Sequence, residues 1–206
     1  MTRHTIRLLL LFLFFFLFLA PIAEAKKFKK GVIELSGGSG FLSSIVDLNR
    51  SGGTKTERDT SLLDLEGVYY IDSEMGFGFS MIRLRESTIA GDVEDKMTED
   101  TFGPLMKYNV QISKKFGIKA LIHLFQSEKD SSFSNGATST LVDVTGWQIG
   151  GGLSYYLSDS VSINFTLNYR EVSGDSTGYT SGVETGSDNY SENGVITGAG
   201  VSLYFN

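Results

Sequence analysis

Cysteine is absent from the 206 residues. No disulfide can staple this chain, and no thiol can act as nucleophile or metal ligand. Proline occurs only twice, which excludes Pro-rich linkers and repeats. Histidine is equally scarce, and His123 is the one imidazole beyond the first few residues. Positive charge is in the minority: 18 Lys and Arg stand against 24 Asp and Glu, a net charge of -6. That balance argues against nucleic acid as a partner, since phosphate backbones reward a basic patch. After residue 25 no stretch is apolar enough to cross a bilayer as a helix. Glycine, by contrast, is abundant at 24 residues, which suits many strands joined by turns.

The amino terminus reads as an address. Arg3, His4 and Arg7 precede the apolar run LLLLFLFFFLFLA, Leu8 to Ala20, and PIAEA follows, ending Ala23-Glu24-Ala25. A basic start, a short apolar centre and a small-x-small site make a secretory signal peptide. Residues 1–25 are therefore expected to be cleaved, leaving 26–206 as one domain. An exported chain without disulfides needs either a good core or a closed, fully hydrogen-bonded barrel.

Eight stretches carry strand signals: 31–43, 61–71, 76–85, 101–112, 117–127, 143–157, 161–171 and 194–205. DSEM (72–75), SKKF (113–116) and SDS (158–160) join three pairs of them tightly. The other connections, 44–60, 86–100, 128–142 and 172–193, are long and rich in Ser, Thr, Gly, Asn and acid. Short and long alternate strictly, so the short turns gather at one end of an up-and-down meander and the long loops at the other. Outer-membrane barrels have this asymmetry.

The strands alternate in polarity. In VSINFTLNYR (161–170), Val161, Ile163, Phe165, Leu167 and Tyr169 share one face, and Ser162, Asn164, Thr166, Asn168 and Arg170 the other. Period two means a half-buried strand, whichever side is buried. The polar faces are crowded with Gly, Ser, Asn, Gln and Tyr rather than the Lys and Glu of an ordinary wet surface. Small residues suit the interior of an eight-stranded barrel, which side chains fill. The apolar face is therefore expected to meet lipid. Charges on the inner face then form a paired network: Glu34, Asp64 and Glu66 as acids, Lys107, Lys119 and Arg170 as bases, with Arg83 or Arg85 as additional candidates. On the outer face Tyr69, Phe77, Tyr155 and Phe205 fall near the short turns. Phe102, Trp147 and Tyr169 fall nearer the long loops. Two aromatic girdles around an aliphatic band are what a bilayer interface selects.

With this topology and the closing strand GAGVSLYFN, the mature chain resembles the small eight-stranded outer-membrane β-barrel superfamily typified by the OmpA transmembrane domain and OmpX. The closing strand, with Gly198 and Gly200 before alternating Val201, Leu203 and Phe205, is similar to the signal read by the barrel-assembly machinery, although Asn206 follows the aromatic. The resemblance implies an antiparallel up-and-down transmembrane barrel in a Gram-negative-type outer membrane, with short periplasmic turns and long extracellular loops. Its implied partners are outer-membrane lipid, including lipopolysaccharide, the assembly machinery, and a surface ligand on the loops. Longer members carry a peptidoglycan-binding domain, which is not expected here.

No cofactor or metal-ligand set is expected. His123, in LIHLFQSEKD, lies near Ser127 and Glu128, so an outer-leaflet acyl hydrolase is one reading; an interior histidine paired with an acid such as Glu66 is the simpler one. The acidic stretches 92–100 and 172–193 match no calcium-loop spacing and read as solvated. The sequence thus points to a non-enzymatic envelope component or scaffold displaying four loops. A narrow pore and the hydrolase are the alternatives.

Overall fold

The computed structural model describes residues 30–48, 54–90, 93–133, 138–180 and 183–206. The candidate signal segment, 1–25, lies outside these. The described residues form eight strands: β1 (Ile33–Leu48), β2 (Thr54–Tyr70), β3 (Met75–Ala90), β4 (Val93–Gln111), β5 (Phe116–Phe133), β6 (Thr138–Ser158), β7 (Val161–Thr180) and β8 (Val183–Phe205). Each strand pairs antiparallel with its neighbour in sequence, and β8 returns to pair with β1 from Ile33↔Phe205 to Leu48↔Tyr190. The sheet is a closed ring, so it has no free edge.

The alternation resolves with the polar face inward. Along β7, Ser162, Asn164, Asn168 and Arg170 are buried, while Phe165 is 57% exposed and Leu167 43%. On β1 Phe41 is 67% exposed, and on β2 Leu63 and Leu65 are exposed too. A water-soluble barrel places these sets the other way round. Contiguous exposed apolar surface over the whole wall is the signature of a protein whose outer solvent is lipid.

The strands run further than the sequence pattern indicates. The segments expected as long loops are mostly strand: pairing continues to Leu48↔Thr54, Ala90↔Val93, Ser132↔Ser139 and Thr180↔Val183. Strands of 16 to 23 residues exceed the roughly 9–11 needed to cross a bilayer. The excess stands beyond the apolar belt, on the side away from the short turns. Its outer face meets water, so the outer residues there are Ser, Thr and acids, and the contrast that reveals a strand disappears.

Each tight turn is held by a side chain at its start. Asp72 Oδ1 accepts the backbone N–H groups of Glu74 and Met75, both at 2.7 Å. Ser113 Oγ accepts those of Lys115 and Phe116 at 3.3 and 3.1 Å, and Ser158 Oγ that of Ser160 at 3.2 Å. Short polar side chains folding back on their own backbone are the usual reason Asp and Ser open turns.

One irregularity has a clear origin. The β4–β5 pairing passes from Phe102↔Gln126 to Leu105↔His123, omitting Gly103 and Pro104. Proline has no N–H to give a ladder. At Gly103 a Cβ would fall on the Leu124 carbonyl oxygen and the Phe125 Cα, so β5 approaches as closely as it does only because this residue is glycine.

Gly103→Ala is accordingly expected to force the two strands apart and to cost about 1–3 kcal/mol. Unfolding by urea in lipid vesicles, compared with wild type, measures it. A second expectation concerns acid. The two N–H groups on Asp72 hold its carboxyl below its ordinary value. A depressed carboxyl contributes stability that is present above its unfolded pKa of about 3.9 and is lost as pH falls through the lowered folded value. Asp72→Asn keeps an acceptor oxygen and removes the titration, so the acid side of its pH–stability profile should be flatter than that of wild type.

Candidate functional site in the barrel interior

The inner wall carries two separate ion-pair networks stacked along the barrel axis. The lower one lies toward the short turns and centres on Glu34 of β1, which has no exposed surface. Its carboxylate accepts from Ser36 (2.8 Å), Tyr70 (2.6 Å), Ser202 (2.8 Å), Lys119 (2.7 Å) and Lys107 (3.2 Å). Lys107 also pairs closely with Glu66. Asp64, one position up β2 on the same face, accepts from Ser80 at 3.1 Å. These residues come from β1, β2, β3, β4, β5 and β8, and closure of the ring brings them together. Beside them Tyr70, Tyr156 and Tyr204 join Val32, Val68, Leu105 and Leu121 in an apolar cluster.

The upper network holds Arg170 of β7 against Glu99 of β4, and Lys129 of β5 against Glu192 of β8 at 2.7 Å and Glu99 at 3.5 Å. Ser127 donates to Glu99 at 2.5 Å. The Arg170 guanidinium lies 4.8 Å from the Phe125 ring centre, and the Lys129 ammonium 4.8 Å from that of Tyr190, distances at which ring faces attract cations. All four charged side chains are buried.

Of the residues singled out from sequence, Glu34, Glu66, Lys107 and Lys119 meet directly, Asp64 lies beside them, and Arg170 belongs to the upper set. Arg83 and Arg85 are not interior. They share the outward parity of Phe79 and Met81, and Arg83 makes a two-pronged pair with Asp100 on the outer wall, 2.6 and 2.7 Å. His123 is buried, but neither ring nitrogen bonds an acid among the described residues. Its ring leans on Phe125, 5.1 Å between centres, because Glu66 is taken by Lys107. The hydrolase reading loses its other members as well: the Ser127 hydroxyl is given to Glu99, and Glu128 points outward.

Glu99, Lys129 and Glu192 escaped the sequence reading because they lie in segments read as loops. The parity was available. Glu99 is in phase with Lys107, Lys129 with Lys119, and Glu192 with Tyr204. The acidic stretches are thus divided, with Glu99 and Glu192 inside and others outside. On the outer wall Asp100, Glu128, Asp143 and Asp175 are exposed and stand directly opposite one another on successive strands, with Arg83 at the head of the row.

The outer wall places Tyr69 beside Phe77 and beside Ile33, which in turn faces Phe205. Tyr155 packs on Phe116 at 5.2 Å, near the same end. Toward the other end Phe102 stacks on Phe79 at 5.5 Å, and Trp147 meets Tyr169 at 5.5 Å.

A closed eight-stranded ring with charges inside and an apolar wall outside defines the transmembrane β-barrel class. A family model described as the outer membrane protein beta-barrel domain matches residues 10–205, and the chain belongs to that family. Among solved structures it is similar to the outer membrane protein OprG from Pseudomonas aeruginosa, with a TM-score of 0.62 and 16% identity over 89% of this chain and 100% of that one. It is also similar to Neisserial surface protein A, with a TM-score of 0.53 and 13% identity over 85% and 99%. A third is Ail, the attachment invasion locus protein of Yersinia pestis, in complex with the heparin analogue sucrose octasulfate, with a TM-score of 0.51 and 15% identity over 84% and 99%. At these identities the likeness is one of fold. No curated protein matches the chain.

The two kinds of ion pair should differ sharply in weight. Glu34→Leu leaves two buried ammonium groups without their shared carboxylate and is expected to cost about 3–5 kcal/mol. Asp100→Ala breaks an exposed pair on the outer wall and should cost about 1 kcal/mol or less. Unfolding of both variants by urea in lipid vesicles measures the difference.

Proposed function

We propose that this protein is a non-enzymatic outer-membrane scaffold, a filled barrel that strengthens the envelope and holds its extracellular rim in place for contact with a surface ligand. The observation that carries this reading is the occupied interior. Two ion-pair networks and three apolar clusters fill the bore, and the void between the networks is about 50 Å³. A general pore needs an open path, which here would require separating Glu34 from both lysines. A hydrolase needs an activated nucleophile, and the hydroxyl nearest to His123 in sequence serves Glu99.

The rim is the part left free to act. Loops and strand ends on a rigid barrel are where such scaffolds carry specificity. On this chain the wall above the girdle presents the acidic row Asp100, Glu128, Asp143 and Asp175. An anionic ligand such as the sulfated sugar held by Ail would be repelled there, so the rim favours neutral or cationic partners. The belt below it contacts outer-membrane lipid, with lipopolysaccharide on the outer side. In this reading the chain is exported by its signal peptide in a Gram-negative-type cell. The strand ending at Phe205 is then the segment offered to the barrel-assembly machinery.

Reconstitution tests the reading. In planar bilayers the purified barrel is expected to give no sustained stepwise conductance, and with diacyl phospholipid it should release no fatty acid. Steady conductance would favour the narrow pore instead. Fatty-acid release that disappears in His123→Ala would favour the hydrolase.

A further inference from the structure

The void of about 50 Å³ lies between the two networks and is walled in part by Asp64, Glu66, Lys107, Lys119, Gln148 and Asn168. It is large enough for a few water-sized occupants. Two features of its wall are unbalanced. The first is charge. Around the lower network stand three carboxylates, Glu34, Asp64 and Glu66, against two ammonium groups, Lys107 and Lys119. Both lysines are already committed: Lys107 to Glu34 and Glu66, Lys119 to Glu34 and Ser202. Asp64 has a hydroxyl donor, Ser80, but no ion-pair partner among the described residues. The upper network, by contrast, balances two acids with two bases.

The second feature is an excess of acceptors. Gln148 is 3% exposed and Asn168 4%. Both line the void, yet neither Gln148 Oε1 nor Asn168 Oδ1 receives a hydrogen bond from the described residues. Buried carbonyl oxygens without a donor are costly, and so is a buried carboxylate without a counter-charge. A single small cation answers both needs.

We propose that the barrel interior binds a monovalent alkali cation in this void, with Asp64 supplying the charge and the carbonyl oxygens of Gln148 and Asn168 completing an all-oxygen site. Hard cations select oxygen ligands. The surplus of one negative charge matches a singly charged ion. A divalent ion would leave the site positive beside two ammonium groups. An anion would face Asp64 and Glu66.

The test compares folded protein in detergent micelles in sodium chloride and in tetramethylammonium chloride, at equal pH and ionic strength. Tetramethylammonium carries its charge beneath four methyl groups and cannot be ligated by carboxylate and carbonyl oxygens as a bare alkali ion is. The thermal midpoint of wild type is expected to rise saturably with sodium by about 2–4 °C. Asp64→Asn and Asn168→Leu should each abolish that rise. Equal midpoints for wild type in the two salts would overturn the proposal, the void then holding water or Asp64 a proton. A sodium effect that persists in both variants would overturn it too, because the ion would be acting elsewhere. Should either variant fail to fold, wild-type crystals soaked in thallium(I) give a second readout. Anomalous density in the void supports the site, and its absence there refutes it.

Discussion

Everything in this molecule follows from the cost of leaving a backbone amide or carbonyl unpaired in hydrocarbon. Lipid offers no hydrogen bonds, so a sheet that crosses it must have no edges. The pairing of β1 with β8 meets that condition, and it also fixes what the side chains can do. A ring of eight strands has one inner face and one outer face, and period two assigns every residue to one of them. The outer face is apolar because its solvent is lipid. The inner face is polar, and being too narrow for bulk water it must satisfy its own charges.

Glu34 shows how this is done. A carboxylate with no exposed surface would be prohibitive alone, yet here five donors from four other residues' strands and its own converge on it. Arg170 and Glu99 repeat the arrangement higher up, with Lys129 and Glu192. Such pairs add less net stability than their contact distances suggest, because both partners had to leave water. What they secure is registration: a strand shifted by one residue would turn its charge toward lipid.

Much of this was legible in the chain. Strand number, order, the side that is wet and the short turns all follow from alternation and from Asp and Ser at turn positions. The ends of the strands were not legible. Past the girdle the outer face turns polar, and Thr, Ser and acid there read as loop, although 93–100 and 183–193 are strand in the structure. That error hid Glu99, Lys129 and Glu192. Arg83 differs for another reason: a charge within a strand pattern predicts an interior position, whereas Asp100 gives this one an exterior partner just above the apolar belt. The role of His123 depended on a competition that sequence cannot show, since Lys107 occupies the acid it would have used.

The wide separation of the interior partners along the chain bears on how the barrel is made. Glu34 lies 73 residues from Lys107 and 85 from Lys119, and its contact with Ser202 spans 168. None of these bonds can exist while the sheet is still open. A partly formed sheet in the bilayer would hold carboxylates and ammonium groups without their partners, a state more costly than either the unfolded chain in water or the finished ring. The charges inside therefore act against premature insertion. They penalise every intermediate that enters lipid before its first and last strands have met, and they couple crossing the membrane to closing the circle.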